Sequence, residues 1–199
     1  AVFGDEAHLF KAKSLTGIMT KLDTCKYRFG LTGTLDGTQT HRLVLEGLFG
    51  KAKYVVTTKE LIDDKTLSNL KINCIVLKYP DEDRQIGKDF EYAAELEYIV
   101  TKIERNNFLC DLVGHCVGNT LCLFQFVEKH GEPLYNIISD KYKERKVFFV
   151  YGGVSTDTRE EIREIVENET DAIIVASYGT FSTGINIRNI DNIVFASPS

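Results

Sequence analysis

The stretch whose reading decides the fold is AIIVASYGTFSTGIN, residues 172–186. Its first five residues are apolar without a break. Such a run suits a strand buried on both faces, as in a parallel sheet covered by helices. Residues 177–186 differ in kind, being dense in hydroxyls and glycine. A mere connection rarely needs so many small polar groups straight after a buried strand, so this loop reads as a ligand site.

Working outward, apolar runs recur at 121–127 (LCLFQFV), 147–151 (VFFVY) and 192–196 (NIVFA). Helical patterns separate them, at 130–142 and at 157–168, where Asp157 and Glu160 are placed as a capping box. Strands alternating with helices at this spacing predict an α/β, doubly wound fold. Upstream, Phe90, Ala94, Ile99 and Ile103 predict one helix. Leu109, Leu112 and Val113 predict a second, after Arg105, Asn106 and Asn107. Residues 81–88 (DEDRQIGK) read as irregular. Residues 70–77 (LKINCIVL) alternate apolar and polar, which predicts a strand. Nearer the start come a short helix at 10–22, a strand at 26–32, a helix at 38–48 and an extended piece at 53–58. Val2, Phe3 and Gly4 read as the tail of a buried strand with nothing before it. The chain is therefore expected to be cut there, leaving an exposed sheet edge.

The 199 residues are 43% hydrophobic and 27% charged, an ordinary globular composition able to bury a core. No apolar run approaches a membrane span and no secretion leader is visible. A net charge of −5 argues against binding nucleic acid through bulk positive charge. It leaves open a grip on phosphates by a few local groups and backbone amides. The five cysteines, Cys25, Cys74, Cys110, Cys116 and Cys122, include no C-x-x-C pair. They read as reduced, buried thiols of a cytosolic protein rather than a metal site.

Doubly wound sheets bind ligands outside the carboxyl ends of their strands. Five groups fall there. Asp5 and Glu6 follow the first strand. One carboxylate at such a place can hold Mg²⁺ and a second can orient an attacking water in phosphoryl transfer, though a solvated acidic loop reads as well. Thr32 and Thr34 flank Gly33, in what is equally a β-turn. Gln125 and Phe126 precede His130 and Gly131. Gly152 and Gly153 lead into a helix N-terminus, where free amides suit a phosphate. The last group is the 177–186 loop.

In order and spacing these groups resemble the superfamily-two helicases of the DEAH type. DEAH (5–8) resembles their motif II and LTGT (31–34) motif III. LCLFQF (121–126) resembles motif IV, YGGVSTDTRE (151–160) the segment after it, and VASYGTFSTGINI (175–187) motif V. RFGLTG, LKINCIVLKYPDE and the last stretch extend the likeness, over nearly the whole chain, to the recombination and repair helicases of tailed bacteriophages. The resemblance implies RecA-like parallel sheets covered by helices, in two lobes that close on ATP and walk along a nucleic acid strand. It implies that Asp5 holds Mg²⁺, that Glu6 polarises the water, and that His8, Thr32 and Thr34 link the ATP state to lobe movement. Gly184 and Asn186 would approach the nucleotide, although many members carry Asp where Asn186 stands. Ser177, Tyr178, Gly179 and Thr180 would contact DNA phosphates, joined by Gln125, Phe126, Gly152, Gly153 and Arg159. The implied cofactors are ATP and Mg²⁺. The implied partners are single-stranded and branched DNA with recombination or replication proteins, and no membrane, in a host cytoplasm.

Two expected parts are missing. No G-x-x-x-x-G-K-[ST] phosphate loop occurs, and GLFGKA (47–52) has the wrong spacing and no hydroxyl. No arginine-bearing motif VI follows the last strand. The expected layout is the second half of a first lobe at 1–60, a connector at 61–88 and most of a second lobe at 89–199. Another motor of the same superfamily, or a lobe that only binds nucleic acid, are the competing readings.

Overall fold

Alternate residues of one strand enter two different cores, which explains why that strand is apolar throughout. The computed structural model describes residues 1–10, 13–33, 35, 39–86, 88, 90–182 and 187–198. The chain divides into two units, Ala1–Ile75 and Val76–Ser199. In the second, β3 (Thr120–Phe124) is buried along its length. Cys122 and Phe124 join Leu109, Val113, Leu134 and Ile138 on one side of the sheet. Leu121 and Leu123 join Val150, Val166 and Ile174 on the other. Each fully buried aliphatic or aromatic side chain contributes about 1.5–3 kcal/mol, so both layers hold the sheet.

That sheet has four parallel strands in the order β4-β5-β3-β6. The others are β4 (Val147–Val150), β5 (Ile173–Ser177) and β6 (Asn192–Phe195). The register sets Phe124 beside Ser177 and Leu123 beside Phe195. Helices α5 (Tyr92–Thr101), α6 (Ile103–His115), α7 (Glu132–Lys141) and α8 (Thr156–Glu167) belong to this unit. The fold is α/β, with parallel sheets flanked by helices in the manner of RecA-like lobes.

The first unit is smaller. Strands β1 (Val2–Gly4) and β2 (Arg28–Gly30) pair in parallel, Gly4 opposite Gly30. Both positions are glycine for a steric reason. A Cβ on either would come within 2.8–2.9 Å of the Phe49 ring, which lies against the pair. Phe49 ends α2 (Gln39–Phe49) and meets Phe10 edge-on at 5.3 Å. Helix α1 (Lys13–Lys21) adds the buried Met19. A one-turn 3₁₀ segment (Ala7–Leu9) follows β1, and α3 (Thr58–Asp63) is closed by a Thr57–Glu60 capping box.

Several expectations are corrected. Residues 70–77 form no strand, and Leu70, Ile72 and Val76 stand exposed. The alternation is present, but a strand needs a hydrogen-bonded neighbour and none of the described residues supplies one. Residues 53–56 likewise join no ladder. The supposedly irregular 81–88 contains α4 (Asp81–Ile86), whose first turn holds three acids that complement the helix dipole. Arg105, Asn106 and Asn107 lie inside α6 rather than before it. The strand expected to 127 stops at Phe124, and a π-turn (Val127–Gly131) precedes α7. The cap of α8 is Ser155, whose hydroxyl accepts the Thr158 N–H at 3.1 Å, not an Asp157–Glu160 box. Of the cysteines, Cys110 and Cys122 are buried but Cys74 is exposed. No helix among the described residues is long and apolar enough to cross a membrane.

Candidate nucleotide and nucleic-acid sites

The first site grows from the β1–β2 pair. Beyond the strands the ladder continues, with Leu31 N–H donating to Gly4 O and Ala7 N–H to Leu31 O, both at 2.8 Å. This holds the chain after β1 beside the chain after β2. Glu6 makes the turn with a left-handed backbone, φ 48° and ψ 47°, a region non-glycine residues seldom adopt. Such local strain clusters at functional sites. The turn leaves Asp5 and Glu6 exposed at the strand end. Asp5 Oδ1 accepts the Glu6 N–H at 2.9 Å.

His8 joins the two sequence motifs. Its Nδ1 lies 2.9 Å from Thr32 Oγ1 and 3.2 Å from Glu6 Oε2. One imidazole nitrogen thus contacts both the Glu6 carboxylate and the first hydroxyl of LTGT. A cleft of about 230 Å³ opens alongside, lined by Ala7 and Thr32 and by the cations Arg28, Arg42, Lys51 and Lys53. Thr34 lies outside the described residues.

The residues fit magnesium but do not complete a nucleotide site. Mg²⁺ in phosphoryl-transfer sites takes one or two carboxylates and leaves the rest to phosphates and water. The exposed Asp5 offers that much. Among the described residues no three His, Cys, Asp or Glu side chains gather as a metal cage. GLFGKA is not a phosphate cradle. Gly50 closes α2 in a left-handed conformation, φ 91°, with its N–H donated to Glu46 O at 2.9 Å. A phosphate loop must open a helix with its amides free, and this one ends a helix with its amide used.

In the second unit, parallel strands bring the candidate nucleic-acid residues to one edge. Gln125 and Phe126 follow β3, Gly152 and Gly153 follow β4, and Ser177 closes β5. These three strands are neighbours, so sequence segments far apart become adjacent. Gln125, Gly152, Gly153 and Gly179 are exposed, and Arg159 sits half-buried in the first turns of α8. Tyr178, Gly179 and Thr180 lie in α9 (Tyr178–Ser182), where a loop was expected. Thr180 is buried, and its hydroxyl lies 2.7 Å from Ser177 Oγ. The Tyr178 hydroxyl donates to Ser197 O at 2.9 Å. Gly184 and Asn186 lie outside the described residues.

Sequence reasoning missed Ser197 and Arg105. Ser197 Oγ accepts the Gln125 N–H at 3.0 Å and lies 2.9 Å from Nδ1 of His130, which is fully buried. Burial, with the Arg105 guanidinium adding to it, pushes the His130 imidazole down to about 4. Burial likewise pushes the neighbouring Cys122 thiol up to about 12, so it is no nucleophile. Only the position of Ser197 just past the last strand could have drawn attention to it.

No protein-family model matches the chain. Among characterised proteins it aligns with the ATP-dependent DNA helicase uvsW of Enterobacteria phage T4, 36% identical over 198 residues and covering 98% of the chain. The chain spans 39% of that helicase's length. With its parallel α/β units and its DEAH turn tied to LTGT, the chain resembles, across nearly all its residues, a stretch of a UvsW-like helicase.

Proposed function

We propose that this chain is part of an ATP-dependent DNA helicase or translocase that acts on branched DNA in recombination, repair and replication-fork processing. The observation that carries the motor reading is the His8–Thr32 hydrogen bond. It joins a turn presenting two exposed carboxylates to a second hydroxyl-bearing turn, as coupling of hydrolysis to movement requires. The likeness to a DNA helicase supports DNA as the track. Branched DNA, and recombination or replication proteins as partners in a host cytoplasm, rest on the phage resemblance.

In this reading ATP supplies the driving free energy, and the chain's residues have distinct tasks. The Asp5 carboxylate would hold Mg²⁺. Glu6 accepts a proton from water, and its strained backbone keeps the carboxylate at the strand end. His8 relays a change at Glu6 to Thr32, with Thr34 as the second hydroxyl. Gly184 and Asn186 are assigned to the nucleotide by the resemblance alone. Gln125, Phe126, Gly152, Gly153, Arg159, Ser177 and Gly179 form the DNA track, while Tyr178 and Thr180 hold it in shape. Residues 1–60 belong to a first lobe, 61–88 connect, and 89–199 belong to a second. The 199 residues alone contain no phosphate loop, so by themselves they are expected to hydrolyse ATP poorly.

The test is Glu6→Gln in the full-length gene product that carries this chain. DNA-stimulated ATP hydrolysis should fall about 10²–10⁴-fold, the usual cost of losing a general base, with DNA binding kept. Hydrolysis at the wild-type rate in the variant, or no response to DNA in the wild type, would refute the proposal.

A further inference from the structure

Four hydrogen bonds from distant parts of the second unit converge on two residues just past β6. Arg105, on α6, donates through Nη2 to Ala196 O at 2.6 Å. The Gln125 N–H and His130 Nδ1 meet Ser197 Oγ at 3.0 and 2.9 Å. The Tyr178 hydroxyl donates to Ser197 O at 2.9 Å. Ala196 N–H also donates to Leu123 O at 2.8 Å, so this point is continuous with the β3–β6 ladder. The contributors come from the ends of β3 and β5, from the π-turn and from α6.

The arrangement is costly for a core. His130 is fully buried, and its Nε2 has no hydrogen-bond partner among the described residues. Burying a polar atom unpaired is unfavourable, and an apolar side chain would fill the space without that cost. The π-turn carrying His130 is itself an uncommon element, met frequently at functional sites. What this cost secures is the backbone N–H of Gln125, a residue exposed at the sheet edge, while the Ser197 carbonyl separately holds the phenol of Tyr178, which opens α9.

We propose that Ser197 is a positioning residue for single-stranded DNA binding, holding the Gln125 and Tyr178 segments at one fixed separation. It touches no DNA itself. Its hydroxyl holds the Gln125 N–H at the end of β3, and its carbonyl anchors the Tyr178 ring at the start of α9. The proposal rests on the DNA-track reading above.

The experiment is a double-mutant cycle on the full chain, read by anisotropy of a labelled single-stranded oligo(dT) of about 20 nucleotides at fixed salt. Gln125→Ala should weaken binding, and Ser197→Ala should weaken it by about five- to tenfold, a range typical of coupled neighbours. In the Gln125→Ala background the Ser197→Ala effect should shrink to about twofold or less, because the contact it positions is already gone. Ser197→Thr, which keeps the hydroxyl, should restore affinity and serves as the folded control. Wild-type affinity in Ser197→Ala beside weakened Gln125→Ala overturns the positioning role while leaving the DNA track intact. Additive effects of the two substitutions overturn it as well, marking Ser197 as merely structural. Absence of oligo(dT) binding by the wild type overturns the DNA track and this proposal together.

Discussion

Strand β3 of the second unit is buried from end to end, whereas β1 and β2 of the first leave Phe3 and Phe29 stacked in the open at 5.0 Å, 70% and 46% exposed. The two units use their apolar residues differently. The second clamps a four-stranded sheet between helices, and its candidate residues stand at the edge of that sheet. The first rests on two strands of three residues each, pinned by one phenylalanine against two glycines. Among the described residues, the turn proposed for chemistry thus follows the smaller sheet and the proposed track follows the larger one.

Phe124→Ala should test this contrast most severely. The ring is fully buried and stacks on Phe149 at 5.5 Å, so its loss should cost about 3–5 kcal/mol in urea unfolding. Phe3→Ala, on the exposed face, should cost within about 0.5 kcal/mol. Equal costs would erase the difference between the units.

Acid should act next, through His130. Its imidazole, at about 4 in the fold and 6.5 in the ordinary case, takes a proton in the unfolded chain first. Stability is therefore whole above pH 6.5 and falls as pH drops from there toward 4, by up to about 3 kcal/mol. His130→Gln should flatten that part of the profile. Parallel profiles for variant and wild type would show that this imidazole is not the cause.

Helix caps give a smaller and more discriminating effect than acid. Ser155→Ala removes the cap of α8, which buries Val166 against the sheet, and should lower the second unit's stability by about 1 kcal/mol. Thr57→Ala removes the cap of α3, which buries no residue. It should shorten amide protection within α3 alone, seen by hydrogen exchange. A global loss from Thr57→Ala would mean that α3 supports more of the first unit than its burial suggests.

Unbroken apolar runs and hydroxyl-rich strand ends were enough to place the β3–β6 sheet and most of its edge residues, because covering both faces of a strand demands that composition. The same reasoning overreached at 70–77, where the alternation is right and no neighbour pairs with it. It also overran at 125–127, where a π-turn replaces the strand. The cap of α8 moved to Ser155, since a cap depends on where the chain turns and not on which acceptor looks best placed.

Asp5, Glu6 and Thr32 were singled out through a resemblance in motif order and spacing, and the pairing of β1 with β2 sets the two segments side by side. That one His8 nitrogen reaches both Glu6 and Thr32 was not legible in the sequence, because the link spans 24 positions and exists only once β1 and β2 pair in register. Ser197 lies further still from reading, bonded to residues 67 and 72 positions away. By itself the amino-acid order determined which segments become buried strands and which residue types stand at their ends, since both follow from local hydrophobicity and chemistry. Which of those ends meet, and through which atoms, was decided only by strand order and register, which no local pattern encodes.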